Sequence, residues 1–185
     1  MADSRSNIVA WAKWGVANKP HFNYSEGANR MSALGVWPLK FPINADCSAA
    51  VTLWYWLAGA PDPCGGTAYT AHSFGDEGYT GTLLSHDIHI SEFIKNAKGV
   101  GVDNVQPGDL VVYGPGTGWH VGLIVEVNGP DILTVSHGEQ GDPSFVWVNP
   151  PVHGNPNHYP VDGRQPQTFL RCSTATVGTV HPVPA

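Results

Sequence analysis

The stretch NADCSAAVTLWYWLAGAPDP, which runs from Asn44 to Pro63, sets a cysteine beside an aspartate and continues with hardly a polar side chain. Residues Cys47 to Ala58 are predicted to form a helix, which Asp46 or Asn44 can cap and which the following glycine and proline end. Apolar side chains surround this helix on all sides. Because a helix without a polar face is buried all round, we expect it to be the central helix of the fold.

The sequence changes from helical to strand periodicity across this segment. Before it, Ser4 to Val16 is predicted to be a helix with Ser4 as its N-cap, and Asn18 to Asn44 a loop. After it, turns rich in Gly and Pro separate five strand-like runs: Asp109–Tyr113, Trp119–Val127, Asp131–His137, Ser144–Asn149 and Thr168–Cys172. Helices followed by an antiparallel meander predict an α+β domain, with the helices packed on one face of the sheet.

The domain organisation is predicted to be simple. We expect one catalytic domain over residues 1–172, in which Pro61 to Thr82 forms a long surface loop and Ile90 to Ala97 a short helix. The segment STATVGTVHPVPA, residues 173–185, has small and uncharged side chains. We interpret it as a linker-like tail that leads to a further domain.

Composition indicates a folded, soluble protein. Apolar residues make up 42% of the 185 residues and charged residues 13%, which argues against a disordered chain. The net charge of −6 argues against nucleic acid as a partner, because nucleic acid binding needs clustered Lys and Arg. No apolar run approaches the ~20 residues that span a bilayer, and no secretory signal begins the chain. We therefore expect no membrane partner and synthesis in a cytoplasm.

Neither disulfides nor a metal site are expected. Cys47, Cys64 and Cys172 are too few for a disulfide framework, and Cys64 and Cys172 are interpreted as structural. His86 and His89 have the spacing of two metal ligands, but zinc needs at least a third and no recognised pattern supplies it. We predict that the protein uses no metal and no cofactor.

Cys47 is the candidate nucleophile. A thiol in the first turn of a helix lies among unpaired backbone N–H groups at the positive end of the helix dipole, which favours the thiolate. The alternative is a small buried apolar side chain, which free cysteine often is. Asp46 argues against the thiolate unless its charge is used in capping the helix.

His120 is the candidate base. It begins a strand directly after a glycine-rich loop, and alternation puts it on one face with Gly122 while Trp119 and Val121 face the other way. A histidine beside a glycine at a strand end has room to meet another side chain. The alternative is a solvated histidine at the end of a strand.

Taken together, the motifs DCSAAV, PGDLVVY and HVGLIVE resemble the NlpC/P60 group of papain-like cysteine peptidases, over roughly Asn44 to Gly138. The strings AGAPDP, GYTGTLL and SHGEQGDP resemble the N-terminal peptidase domains of lysin A endolysins from phages of mycobacteria and related hosts. The resemblance implies a papain-like fold with Cys47 as the nucleophile and His120 as the base. Ala49 departs from it, because many relatives have glycine there, and adds one methyl group.

The other site residues follow from this assignment. The backbone N–H of Cys47, helped by Ser48, is expected to stabilise the oxyanion at the helix start that Asp46 caps. Trp119, beside the base, is expected to line the substrate groove.

The third catalytic residue is expected on the next strand, where the family has a polar residue that orients the histidine. His137 and Glu139 compete for this role. A four-residue hairpin loop, Val127 to Pro130, would set His120 opposite His137, whereas a two-residue loop would set it opposite Glu139. A three-residue loop would put Gly138 there. Because proline is disfavoured at the second central position of a tight turn, we prefer the four-residue loop and His137.

The expected function is that of a thiol protease or amidase that cuts an amide bond in the stem peptide of bacterial peptidoglycan. It would be the catalytic module of a bacteriophage endolysin, acting as a monomer beside a separate wall-binding domain and reaching the cell wall after holin-type release. Two alternatives are an acyltransferase or transpeptidase with the same Cys47 and His120, and a non-catalytic wall-binding module.

Overall fold

Two helices pack against one face of a six-stranded antiparallel sheet in the part of the chain that the computed structural model describes. That part is residues 2–63, 98–113, 120–138, 143–148 and 166–185, and for residues 166–168 it includes the backbone only. The α+β class predicted from the sequence is confirmed.

The helices are α1 (Arg5–Ala17) and α2 (Cys47–Leu57), and both agree with the predicted segments. Helix α2 is buried along its length except at Trp56, as its unbroken apolar sequence predicts. Its N-cap is Asp46, whose side chain accepts a hydrogen bond of 2.8 Å from the Ala49 N–H. Ser4 stands at the N-cap of α1, but its hydroxyl pairs with Thr176 at 2.7 Å instead of capping the helix.

The large sheet has the strand order β3-β8-β4-β5-β6-β7. Its strands are β3 (Lys98–Val100), β4 (Leu110–Tyr113), β5 (His120–Asn128), β6 (Asp131–Ser136), β7 (Ser144–Trp147) and β8 (Pro166–Arg171). Strands β4 to β7 form the predicted meander, and β8 returns to pair with β4. The three-residue strand β3 was not predicted, because its sequence KGV has no alternation to detect.

The two faces of the sheet carry different clusters of side chains. Val121, Leu123 and Val125 of β5 pack into the main core with both helices, as the alternation in the sequence predicts. Ile124 of β5 faces the other way, into a second cluster that contains Tyr113. Which face a residue of β5 occupies therefore decides whether it can meet Cys47.

Two short strands lie within the segment predicted to be a loop. They are β1 (Phe22–Tyr24) and β2 (Ile43–Ala45), which pair in parallel and lead directly into Asp46 and α2. Strands of three residues within a sequence rich in Pro, Gly and Asn have too little periodicity to predict. Their pairing brings Tyr24 level with Ala45, two residues before Cys47.

The predicted four-residue loop between β5 and β6 is wrong. Asn128 pairs with Asp131, so the turn has only two central residues, Gly129 and Pro130, and Gly129 takes the left-handed conformation at φ +61°. The register then shifts between Ile124 and Glu126, so that Leu123 pairs with Val135. If this register continues to the start of β5, it places Gly138, and not His137, opposite His120.

The C-terminal tail packs on the domain. Val177 and Gly178 donate backbone hydrogen bonds to the Gly59 carbonyl, and His181 donates one of 2.9 Å to the Leu57 carbonyl at the end of α2. The His181 ring lies 4.4 Å from the Trp37 ring and 4.8 Å from the Trp56 ring, between centroids. Residues 173–185, which were predicted to be a linker-like tail, are thus docked against the domain over much of their length. The small, uncharged side chains of this segment did not predict these contacts.

A buried carboxylate joins α1 to the sheet. Asp109 is fully buried and pairs with Arg171 of β8 at 2.8 Å and with Arg5 of α1 at 3.1 Å.

None of the helices in the described ranges is long and apolar enough to cross a membrane. The predicted helix Ile90–Ala97 and the surface loop beyond Pro63 lie outside the described residues.

Candidate active site

Cys47 is the first residue of α2 and is buried in the main core, with 3% of its surface exposed. Its thiol lies near the backbone of Val121, at the start of β5, and near that of Ser48, and both lower its pKa. The start of a buried helix and the start of a central strand thus meet at this sulfur. This is the pair of elements that the sequence predicts to carry the nucleophile and the base.

Asp46 is held by a buried arginine that sequence analysis did not single out. Arg30 is bound to the Asp46 carboxylate through Nε and Nη2, the second bond measuring 2.7 Å, and its Nη2 also donates to the Ser48 hydroxyl at 2.6 Å. The carboxylate is fully buried and 5% of the Arg30 side chain is exposed. Arg30 lies in a polar segment of the sequence, and no local pattern relates it to the helix start.

The Asp46 carboxylate therefore caps the helix and forms an ion pair with Arg30. A nucleophilic Cys47 was expected only if the charge of Asp46 is used in this way. The Ser48 hydroxyl donates to the same carboxylate at 3.0 Å. Since a hydroxyl has one proton, Ser48 can offer an oxyanion only its backbone N–H while this bond persists.

The predicted lowering of the Cys47 pKa is not found in this state of the protein. Burial, followed by the charge of Asp46, raises the pKa of the Cys47 thiol to about 12, against the lowering effects of Val121, Arg30 and Ser48. The loss of hydration thus outweighs the helix start. The resting side chain is a neutral thiol, and a base has to remove its proton for it to attack.

Tyr24 of β1 is a neighbour of Cys47 that sequence analysis did not predict. Its hydroxyl donates a 2.7 Å hydrogen bond to the carboxylate of Glu26. Burial raises the pKa of Tyr24, and negative charge on Cys47 would raise it further, which places the phenol within electrostatic reach of the thiol. Tyr24 is therefore a neutral hydroxyl beside the nucleophile.

His120 is buried at the start of β5, with 4% of its surface exposed, so the alternative of a solvated strand-end histidine is wrong. It pairs with Tyr113 of β4, and the two rings lie 5.7 Å apart between centroids. Because side chains alternate along a strand and Val121 faces the helices, His120 is directed to the Tyr113 side of the sheet. Only one backbone position separates it from the Val121 contact to the thiol.

His137 follows β6 and is also buried, with 1% of its surface exposed. Its ring packs edge-on against Tyr24 at 5.5 Å and Phe22 at 5.9 Å, and its Nε2 lies 3.4 Å from the Asn23 carbonyl oxygen. It therefore shares Tyr24 as a neighbour with Cys47, on the helix side of the sheet.

The structure thus brings Cys47 to the backbone beside His120 and places His137 next to Tyr24, but it does not set the two histidines face to face. The bulge in β5 is the physical reason. Counted from the hairpin turn, the extra residue moves every side chain beyond it to the other face of the sheet relative to its partner on β6. The competing residue Glu139 and the predicted groove residue Trp119 lie outside the described residues.

Cys172 is the one remaining candidate in the part of the chain that the structure describes, and it is buried near Tyr55. Cys64, His86 and His89 lie outside the described residues. Within the described ranges, no three His, Cys, Asp or Glu side chains are grouped so that they could hold a metal ion.

Comparison with known proteins adds no assignment. No protein-family model matches the chain, and no curated protein sequence matches it.

Proposed function

We propose that the protein is a cysteine hydrolase with a papain-like fold of the NlpC/P60 type, which cuts an amide bond in the peptide of bacterial peptidoglycan. The observation that carries the proposal is the position of Cys47 at the start of the buried helix α2, with its thiol near the backbone of Val121 at the start of β5. The resemblance of DCSAAV and HVGLIVE to that family supplies the reaction class and the substrate.

The proposed reaction begins from the neutral thiol. A histidine takes the Cys47 proton as sulfur attacks the carbonyl carbon of the scissile amide, and a bond from sulfur to carbon forms. The oxyanion is stabilised by backbone N–H groups at the start of α2, those of Cys47 and Ser48. The histidinium then gives its proton to the leaving amine as the C–N bond breaks. Water hydrolyses the resulting thioester and restores the thiol.

His120 is the proposed base, because the residue that follows it already contacts the thiol. In the structure its ring lies on the Tyr113 side of the sheet, so the proposed proton transfer requires the start of β5 to move and bring the ring to the sulfur. His137 is the proposed third residue, with the role of orienting His120, and in the structure its ring packs on Tyr24. Glu139 and Trp119 keep their proposed roles as the alternative third residue and a substrate contact.

The proposed substrate and setting rest on the resemblance alone. The proposed substrate is a stem peptide of the bacterial wall. The protein would be the catalytic module of a phage endolysin that reaches the wall after release from the host cytoplasm, and a further domain would supply affinity for the wall. A net charge of −6 agrees with the need for such a domain, because bacterial walls are commonly anionic and would repel this one.

The test is to incubate purified peptidoglycan with the protein and identify the products by mass spectrometry. We expect new amino termini from the wild type, and none from Cys47→Ala or Cys47→Ser, which should both fold because each replaces a small buried side chain by another. Cys172→Ser is the matched control, since it changes a buried cysteine near Tyr55, in the last turn of α2 and not at its start. Retained hydrolysis by Cys47→Ala would refute the proposal.

The same experiment separates the two alternative functions. An acyltransferase would convert the peptide to an adduct with an added amine and give little hydrolysis. A non-catalytic module would sediment with cell walls and release no new amino termini.

A further inference from the structure

Arg30 lies at the start of α2 without belonging to the helix. Its guanidinium offers Asp46 the edge formed by Nε and Nη2, and the same Nη2 reaches the Ser48 hydroxyl. Asp46 in turn caps the helix through the Ala49 N–H. One side chain thus fixes both residues that flank the cysteine.

We propose that Arg30 is a positioning residue for Cys47: it holds Asp46 in the capping geometry and neutralises its charge, so that Cys47 can lose its proton at the start of α2. The proposal rests on the proposed function in so far as the thiolate is the reacting form. It concerns the ionisation of Cys47, which is measurable whether or not the protein hydrolyses peptidoglycan.

The environment of Cys47 makes this neutralisation necessary. A fully buried carboxylate one residue away disfavours a second negative charge, since few waters screen the pair. Arg30 acts in the opposite sense and lowers the pKa of Cys47. Among the described residues, the other titratable groups of this region are Tyr24 with its partner Glu26 on the β1 side, and His120 and His137 at the ends of β5 and β6.

A lysine could not fill this position equally well. Arg30 binds the carboxylate with two nitrogens of one rigid plane and still reaches Ser48, whereas an ammonium group is a point charge on a flexible stem. The remaining nitrogen, Nη1, is buried with no hydrogen-bond partner among the described residues. The guanidinium is therefore held at the helix start by Asp46 and Ser48.

The experiment measures the rate at which iodoacetamide alkylates Cys47, in a protein carrying Cys64→Ser and Cys172→Ser so that the rate reports one thiol. At pH values below the pKa, this rate is proportional to the thiolate fraction, so a shift of one pKa unit changes it about tenfold. We expect Arg30→Gln to lower the rate by roughly tenfold. Asp46→Asn, which keeps a capping oxygen, should raise it by a similar factor.

The double variant Arg30→Gln/Asp46→Asn decides between neutralisation and a merely structural role. Neutralisation predicts a rate at or above that of the wild type, because the charge that Arg30 offsets is gone. A structural role predicts that the double variant stays as slow as Arg30→Gln, and that result would overturn the proposal. Arg30→Lys should fall between Arg30→Gln and the wild type.

Arg171→Gln is the matched control, because Arg171 pairs with another fully buried carboxylate, Asp109, which lies near Tyr55 in the last turn of α2 and not at the helix start. It should lower the stability against urea and leave the Cys47 alkylation rate unchanged. If Arg30→Gln does not fold, Asp46→Asn alone remains decisive, since an unchanged or slower rate contradicts the proposal. Absence of peptidoglycan hydrolysis with the predicted alkylation pattern would count against the proposed function only. Hydrolysis without that pattern would count against the role of Arg30 only.

Discussion

The partners of the two buried histidines can be tested by double-mutant cycles on folding stability. The His120 ring lies 5.7 Å from the Tyr113 ring, and the His137 ring lies 5.5 Å from the Tyr24 ring. Ring pairs at such separations contribute about 0.5–1.5 kcal/mol beyond their buried area. We expect coupling energies in that range for His120/Tyr113 and for His137/Tyr24, with each residue replaced by Leu singly and in pairs and the free energy of unfolding measured in urea.

The cycle between His120 and His137 should give a different result. The bulge in β5 directs these two side chains to opposite faces of the sheet, and the ring contacts described for His120 and for His137 are with different residues. Their effects on stability should then add to within about 0.5 kcal/mol. A larger coupling between them would refute the register described for β5 and β6 and would favour the arrangement in which His120 lies opposite His137.

The same cycle has a kinetic counterpart that bears on the mechanism. If His137 orients His120 by direct contact, removing it from a protein that already lacks His120 costs no further activity. If His137 acts through Tyr24, the two losses multiply. We expect His137→Ala alone to lower the hydrolysis rate by roughly ten- to a thousandfold, a smaller loss than for Cys47 or His120, as is usual for positioning effects.

Two further predictions concern the sheet and the tail. Gly122→Ala should lower the free energy of unfolding by about 1–3 kcal/mol, because a Cβ there would lie 2.7 Å from the buried Ser136 Oγ. Gly99→Ala, whose Cβ meets nothing within 4 Å, should lower it less in the same urea titration, and equal losses would contradict the close approach of β5 and β6. Burial lowers the pKa of His181 below its ordinary 6.5, so protonation favours the unfolded chain and the free energy of unfolding should fall as the pH drops below that value. The fall should be shallower in His181→Gln, and an unchanged slope would show that the ring is not packed between Trp37 and Trp56 in solution.

The elements of the fold were predictable wherever the information is local. Helix α2 follows from an unbroken apolar run with an aspartate before it, and strands β4 to β7 follow from alternation between Gly and Pro turns. Strands β1, β2 and β3 were missed because three residues carry too little periodicity. The docked tail was missed because its contacts are mostly backbone hydrogen bonds, which leave no signature in the side chains.

The candidate site divides in the same way. The sequence by itself determined that Cys47 begins a buried helix, that Asp46 caps it and that His120 begins the strand whose backbone reaches the thiol, because capping and alternation act over a few residues. Only the tertiary structure decided that Arg30 neutralises Asp46, that Tyr24 lies beside the thiol and that burial keeps Cys47 protonated. It also decided the separation of His120 from His137, since one bulged residue reverses which face a side chain occupies relative to the neighbouring strand. These features depend on the burial of groups that are distant in sequence. Burial determines both the protonation state of a side chain and its contacts, and it is a property of the folded chain.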